Sequence, residues 1–319
     1  MKRLMQSAIK ILVILTVILI HTLLAEALVR YETFGVGGFS EKLLESIPIP
    51  NQQIISDRLE NCRIIKPLIP NRSLYYKAEV FETNSIGLRD VEYNITKDEG
   101  VFRILILGNS VSLGVGVRIN ETYHSIVEEK LNQRPGGKRY EILNLGCGPA
   151  NLSKNINDIN ETTYYNPDML IISDSHTNIN SLNQTQIDRL KQYQKNYGVP
   201  VILVSQNFGI KKNKDFGEIM TVSLNVTKIN VWELIYPADS HPDKYVHQKY
   251  AKRLYDYLIE NWEKIENTSN PAGKPNVPEE VLERIENEPM IYNKFKPKNS
   301  FWKSYYLEKI QNKTAAILN

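Results

Sequence analysis

Cysteine is nearly missing from this sequence: Cys62 and Cys147 are the only two in 319 residues. That excludes a small disulfide-framework scaffold and any zinc site built on clustered thiolates. A surplus of one charge is missing too, with 39 Lys+Arg against 36 Asp+Glu and a formal net charge of +3. A nucleic-acid binder ordinarily carries a far larger basic excess, so no nucleic-acid partner is expected. Internal repeats are absent, and no Gly-Lys-Ser/Thr follows Gly108, which excludes a phosphate-binding loop. With 42% hydrophobic and 24% charged residues, the chain has neither the composition of a disordered segment nor that of a multi-span membrane protein. What remains is length enough for one or two domains with a sizeable core.

The apolar residues are unevenly spread. Ile11-Leu-Val-Ile-Leu-Thr-Val-Ile-Leu-Ile20 follows Lys2, Arg3 and Lys10 and continues to Val29, diluted by His21 and Glu26. This length approaches the ~20 residues that span a bilayer, and the basic flank places the start inside and the rest outside. Ala25-Glu26-Ala27 also fits a small-x-small cleavage site. An uncleaved anchor and a removable signal peptide both export the remaining chain; a buried core helix is the third reading. Nine Asn-x-Ser/Thr triplets, at Asn71, Asn94, Asn120, Asn151, Asn160, Asn183, Asn225, Asn267 and Asn312, point the same way. An Asn-rich chain also scatters such triplets by chance.

Four segments are expected: an anchor over 1–30, a stalk or cap over 31–98, an α/β domain over 99–265, and a linker with a basic aromatic extension over 266–319. The stalk carries Gly35-Val-Gly-Gly38, Pro48, Pro50, Pro67 and Pro70 and few periodic runs. From Phe102 onward strand and helix signals alternate. Arg103-Ile-Leu-Ile-Leu107, Tyr140-Glu-Ile-Leu143, Met169-Leu-Ile-Ile172 and Val199-Pro-Val-Ile-Leu-Val204 read as buried strands. Tyr123, Ile126, Val127 and Leu131 recur at helical spacing, residues 152–165 read as a helix, and Ile187, Leu190 and Tyr197 suggest another. Val246, Tyr250, Leu254 and Leu258 mark a last helix. Such alternation predicts a parallel sheet with helices on both faces. The tail, 289–319, holds six Lys against Glu308 alone, interleaved with Phe295, Phe301, Trp302, Tyr305 and Tyr306. It suits an acidic membrane or polysaccharide, or simply a surface extension.

In an open parallel sheet, sites form beyond the carboxyl ends of the strands. Those ends carry Gly108-Asn-Ser110, Asn144-Leu-Gly-Cys-Gly148 and Ser173-Asp-Ser-His-Thr-Asn178, and Asp239-Ser-His-Pro-Asp243 precedes the last helix. A serine, a histidine and a carboxylate two residues from that histidine are the parts of a hydrolytic nucleophile system. The α/β-hydrolase elbow is excluded, because Gly108-Asn-Ser-Val-Ser112 is not Gly-x-Ser-x-Gly. Gly114 and Gly116 give only a weak dinucleotide signal. Ser110 also suits a helix cap, and Asp239-Ser-His-Pro242 a helix N-terminal turn with Pro242 at the first helical position. His124 and His247 read as structural, His176 as a loop residue, and Cys147 as a small packing residue. A Cys62–Cys147 disulfide is permitted outside the cell, though spacing does not establish it.

These blocks, in this order, resemble the SGNH (GDSL-type) hydrolase superfamily over roughly residues 84–262. Arg103-Ile-Leu-Ile-Leu-Gly-Asn-Ser-Val-Ser-Leu-Gly-Val-Gly-Val117 looks like its first block and Asn144-Leu-Gly-Cys-Gly-Pro-Ala-Asn151 its second. Asn178 resembles the Asn of the third, and Asp239-Ser-His241 the last. The run-in Asn84-Ser-Ile-Gly-Leu-Arg89 looks like that of membrane-anchored bacterial and archaeal members. The resemblance implies a three-layer flavodoxin-like α/β fold and acyl transfer to Ser110. His241 would take the proton and Asp239 orient His241. Ser110, Gly148 and Asn178 would form the oxyanion hole. No cofactor or metal is implied. The implied function is an extracytoplasmic ester hydrolase acting on an ester-bearing small molecule, glycan or lipid at the membrane. A carbohydrate O-acyltransferase or a non-catalytic envelope protein on the same scaffold are the alternatives. Three positions depart from the family pattern. Pro149, which has no N–H, stands at the usual glycine; Asn109 replaces the usual Asp; and Ile179 replaces the Asp that often follows Asn178. A shift of one residue, to Gly148, would restore the donor.

Overall fold

The apolar N-terminal run folds as one helix, α1 (Lys2–Phe34), in the computed structural model of the chain. Its stretch Lys10–Leu28 has mean hydropathy 2.5, is unburied, and is long and apolar enough to cross a membrane. The structure describes residues 2–34, 62, 64–65, 68–76, 79–148, 152–175, 179–206, 216–224, 226 and 241–269. The chain divides into two units, Met1–Val281 and Leu282–Asn319, and every described residue belongs to the first. The basic aromatic tail therefore lies outside the described residues, as do Pro271–Pro278, Asn151, Asn225 and Asn312.

An antiparallel hairpin comes next, β1 (Arg72–Tyr76) with β2 (Glu79–Thr83). The α/β unit follows as β3 (Val101–Gly108), α2 (Ser110–Leu113), α3 (Tyr123–Asn132), β4 (Arg139–Gly146) and α4 (Leu152–Asn157). It continues as β5 (Met169–Asp174), α5 (Gln184–Tyr197), β6 (Val201–Ser205), β7 (Met220–Ser223), α6 (Lys244–Glu260) and α7 (Trp262–Thr268). The five later strands form one parallel sheet in the order β4-β3-β5-β6-β7. Relative to chain order this is 2-1-3-4-5, the flavodoxin-like arrangement, whose connections reverse direction at β3.

The strands are apolar on both faces because both faces are covered. Ile104, Ile106, Ile142, Ile171 and Val204 pack with Tyr123, Val127 and Leu131 of α3 and Val246, Tyr250 and Leu254 of α6. The alternate residues Leu105, Leu107, Leu143, Ile172 and Leu203 pack on the other side, with Leu152 and Ile156 of α4 and Ile187 and Leu190 of α5. A third cluster joins Tyr76 and Phe81 of the hairpin to Leu113, Val115, Cys62 and Cys147, covering the turn that follows β3.

The helix expected over 152–165 is two pieces. Six residues of α-helix end at Asn157, and a 3-10 stretch runs from Ile159 to Tyr165. There the Thr162 and Thr163 hydroxyls bond the carbonyls of Ile159 and Asn160, an alternative to helical geometry that threonine offers readily. The hairpin and the short strand β7 are not anticipated by the sequence pattern.

Candidate active site at the carboxyl edge of the sheet

Ser110 is delivered by β3. After Gly108 the chain takes an extended conformation at Asn109, whose side-chain oxygen accepts the Val111 N–H at 3.0 Å. Asn109 is thus the cap of α2, and Ser110 is its first helical residue. Position 108 admits only glycine, because a Cβ there would collide with the Ser112 side chain. Gly114 closes the turn at φ 76°, with Arg89 and Thr122 filling the space a side chain would need. Among the described residues nothing bonds the Ser110 hydroxyl, and the side chain is half-buried.

Two side chains hold this turn from behind. Arg89, 1% exposed, donates to the carbonyls of Leu113, at 2.9 Å, and Val117, and stacks over the Phe81 ring at 4.9 Å. Burial lowers its pKa to about 10, which leaves it charged at neutral pH. Tyr123 donates its hydroxyl to Ser112 at 3.0 Å, and its backbone N–H goes to Nδ1 of His247 at 3.1 Å. His247 is fully buried, and burial pushes it down to about 3, so it is a neutral acceptor. His124 is buried as well, 3.6 Å from Asp90.

The second block approaches from β4. Cys147 donates its N–H to Gly108, and the Gly148 carbonyl accepts the Ser110 N–H at 3.1 Å. The Ser110 N–H, expected as an oxyanion donor, is therefore already engaged. Gly148 turns its carbonyl toward Ser110, while its own N–H bonds nothing among the described residues. Cys147 is disulfide-bonded to Cys62, with Cα atoms 5.9 Å apart, so it is not a simple packing residue. Lys154 donates to the Cys62 carbonyl at 3.0 Å.

From β5 comes Asp174, 1% exposed. Its carboxylate accepts from Asn109 Nδ2 at 3.3 Å and from the Leu152 N–H at 2.9 Å. Asn109 Nδ2 also donates to Ser175 Oγ at 2.7 Å. The sequence pattern carries Asp174 within its loop and assigns it no role. The sequence gives no signal for that role, because Asp174 meets Asn109 only across the register of β3 and β5.

His241 is half-buried and lies just ahead of α6. That helix starts at Lys244 and is capped by Asp243, which accepts the Tyr245 and Val246 N–H groups. Pro242 thus precedes the cap rather than opening the helix. Asp239, Asn178, His176 and Pro149 lie outside the described residues. The structure brings Ser110 and Gly148 into contact, and no hydrogen bond links Ser110 to His241. Catalytic hydrogen bonds often form only once substrate is bound. A cavity of about 460 Å³ lined by Tyr93, Asn94, Glu128, Asn132, Arg139 and Glu141 opens at the amino end of β4, away from these residues.

A serine opening a short helix at the carboxyl end of β3, where the strand order reverses, defines an open α/β fold with its polar loops gathered at one edge. Solved structures match about half of the chain at low identity. A two-domain esterase active on acetylated mannans, co-crystallised with mannopentaose, matches at 18% identity and a TM-score of 0.39 over 56% of this chain. The chain spans about half of that protein, 52% of its length. A Clostridium thermocellum family 3 carbohydrate esterase matches at 16% identity and a TM-score of 0.41, over 53% of this chain and 100% of the other. A protein of the G-D-S-L family from Desulfitobacterium hafniense matches at 13% identity and a TM-score of 0.37, over 49% of this chain and 99% of the other. No family model matches the sequence, and no curated protein does.

Proposed function

We propose that the chain is a serine ester hydrolase, exported and tethered to a membrane by its N-terminal helix, acting on acyl or acetyl esters of envelope glycan or lipid. The observation that carries this reading is the setting of Ser110. It opens a capped helix at the carboxyl end of β3 with its hydroxyl unengaged among the described residues. The four sequence blocks supply its partners in order. In this reading His241 takes the hydroxyl proton as Ser110 Oγ bonds the ester carbonyl carbon, and returns it to the departing alcohol. Water, deprotonated in turn by His241, then attacks the acyl carbon; its bond to Ser110 Oγ breaks, Oγ takes the proton back from His241, and the acid leaves. Asp239 keeps His241 oriented, and Asn178 is the side-chain donor to the oxyanion. Export is supported by the apolar helix Lys10–Leu28 and by the disulfide, a bond typical of oxidising compartments.

The test is labelling by a serine-directed fluorophosphonate, with hydrolysis of simple acetyl esters alongside. Wild type should label and turn over; Ser110→Ala should do neither, and His241→Ala should lose both at least 100-fold. A wild type that stays unlabelled beside an active control would sink the reading. One observation favours a second reading, a non-catalytic protein that keeps the fold. The Ser110 N–H is already given to the Gly148 carbonyl, and Pro149 has no N–H to offer. Ester turnover that disappears with Ser110→Ala removes this second reading.

A further inference from the structure

We propose that Asp174 supplies, from β5, the negative charge of the nucleophile turn, and that it positions Ser110 through Asn109. The inference rests on the reading of Ser110 as nucleophile. Its starting point is the departure at position 109, where the resemblance leads one to expect an aspartate.

Both residues are 1% exposed, so neither can turn to water for missing partners. The Val111 N–H needs an acceptor, which fixes the Asn109 oxygen on that side at 3.0 Å. Its nitrogen must then find acceptors, and these are Ser175 Oγ at 2.7 Å and Asp174 Oδ1 at 3.3 Å. The other oxygen of Asp174 takes the Leu152 N–H at 2.9 Å. One carboxylate therefore ties together the turn after β3, the loop after β5 and the start of α4, and Ser110 stands next to the residue it grips.

A carboxylate at 109 beside the present one would set two acceptors 3.3 Å apart with no proton between them. Buried like charges at that distance force one group to take up a proton. Asparagine at 109 and aspartate at 174 are in this sense a single unit, with the charge on one side of a hydrogen bond. Exchanging the two reverses the polarity of the bond between them and leaves Val111 and Leu152 with acceptors. The carboxylate at 109 would accept from Val111 and from the amide at 174, whose oxygen would accept from Leu152. The Ser175 hydroxyl would turn from acceptor to donor. No single exchange achieves this.

The experiment compares Asn109→Asp, Asp174→Asn and the double exchange in the full chain, reading fluorophosphonate labelling, kcat and KM on a simple ester, and the thermal midpoint. Each single variant should lose at least tenfold in labelling rate and kcat, with KM within about twofold, and melt several degrees lower. The double variant should return to within about threefold of wild type and regain most of the midpoint. The proposal is overturned if the double variant is no better than the worse single, or if Asn109→Asp behaves as wild type. If wild type itself neither labels nor turns over, the hydrolase reading fails. The midpoints of the four proteins then still decide whether 109 and 174 act as a unit.

Discussion

Glu128, on α3, offers the sharpest test of the fold's buried electrostatics. One of its oxygens accepts the Tyr93 hydroxyl at 2.6 Å and the Ile142 N–H. Burial pushes the carboxyl up to about 7 from 4.5; the two hydrogen bonds oppose that rise and the charge of Asp90 adds to it. Between these values the folded chain holds a proton that the unfolded chain has released, so stability falls as pH rises from about 4.5 to 7. At 1.36 kcal/mol per pKa unit, a difference of about 2.5 units costs about 3 kcal/mol above pH 7. His247 works in the opposite sense. Its pKa falls from 6.5 in the unfolded chain to about 3, so it costs stability as pH drops from 6.5 toward 3. In the wild type the two slopes overlap and offset one another between pH 4.5 and 6.5. Glu128→Gln keeps the acceptor for Tyr93 and Ile142 but cannot ionise. It should match wild type at pH 4.5 and exceed it by about 3 kcal/mol at pH 8, roughly 6–12 °C in a domain of this size. Its stability should rise with pH up to 6.5 and then level off. Thermal unfolding from pH 4 to 8.5 measures both curves. If they run parallel, or if the glutamine variant loses stability relative to wild type as pH rises, the reasoning is wrong.

Three further outcomes are expected. Cys62→Ser with Cys147→Ser opens an 85-residue loop, which loop-closure entropy values at about 4–5 kcal/mol; the midpoint should fall by about 10 °C or more, and reduced wild type should match. Arg89→Lys, which cannot serve two carbonyls in a fork while stacking on Phe81, should cost about 2–3 kcal/mol in denaturant unfolding and speed amide exchange at Gly114, Val115 and Val117; a neutral result would deny Arg89 its hold on the turn. Pro149→Gly adds an N–H at the position where the family pattern has its donor, and ester turnover should rise about 10–100-fold; unchanged or lower turnover would mean that no donor is missing there.

What the sequence made legible was local or periodic. Runs such as Arg103-Ile-Leu-Ile-Leu107 announce strands covered on both faces, because alternate residues must meet separate helix layers. β7 escaped notice because four residues carry too little pattern. The hairpin escaped because its faces are only partly buried, so polar and apolar residues mix along it. Ser110 and Gly148 stood out because each occupies a fixed place within a short block. Their relation did not: the direction of the Gly148 carbonyl depends on a turn that Cys147 anchors to Gly108 and to a residue 85 positions away.

The same limit governs Asn109. Beside Ser110 it looks like a lost charge, which in the proposed reading suggests a turn less acidic than the motif it resembles. Its partner lies 65 residues downstream, and only the register of β3 beside β5 brings the two side chains together. Once they touch, the identity of each constrains the other. An amide at 109 must donate to something, and a carboxylate at 174 must be met by donors, since neither reaches water. A substitution that breaks a motif in sequence can therefore keep the charge of the turn in space, and the acid to look for is the one facing the serine's neighbour across the sheet edge.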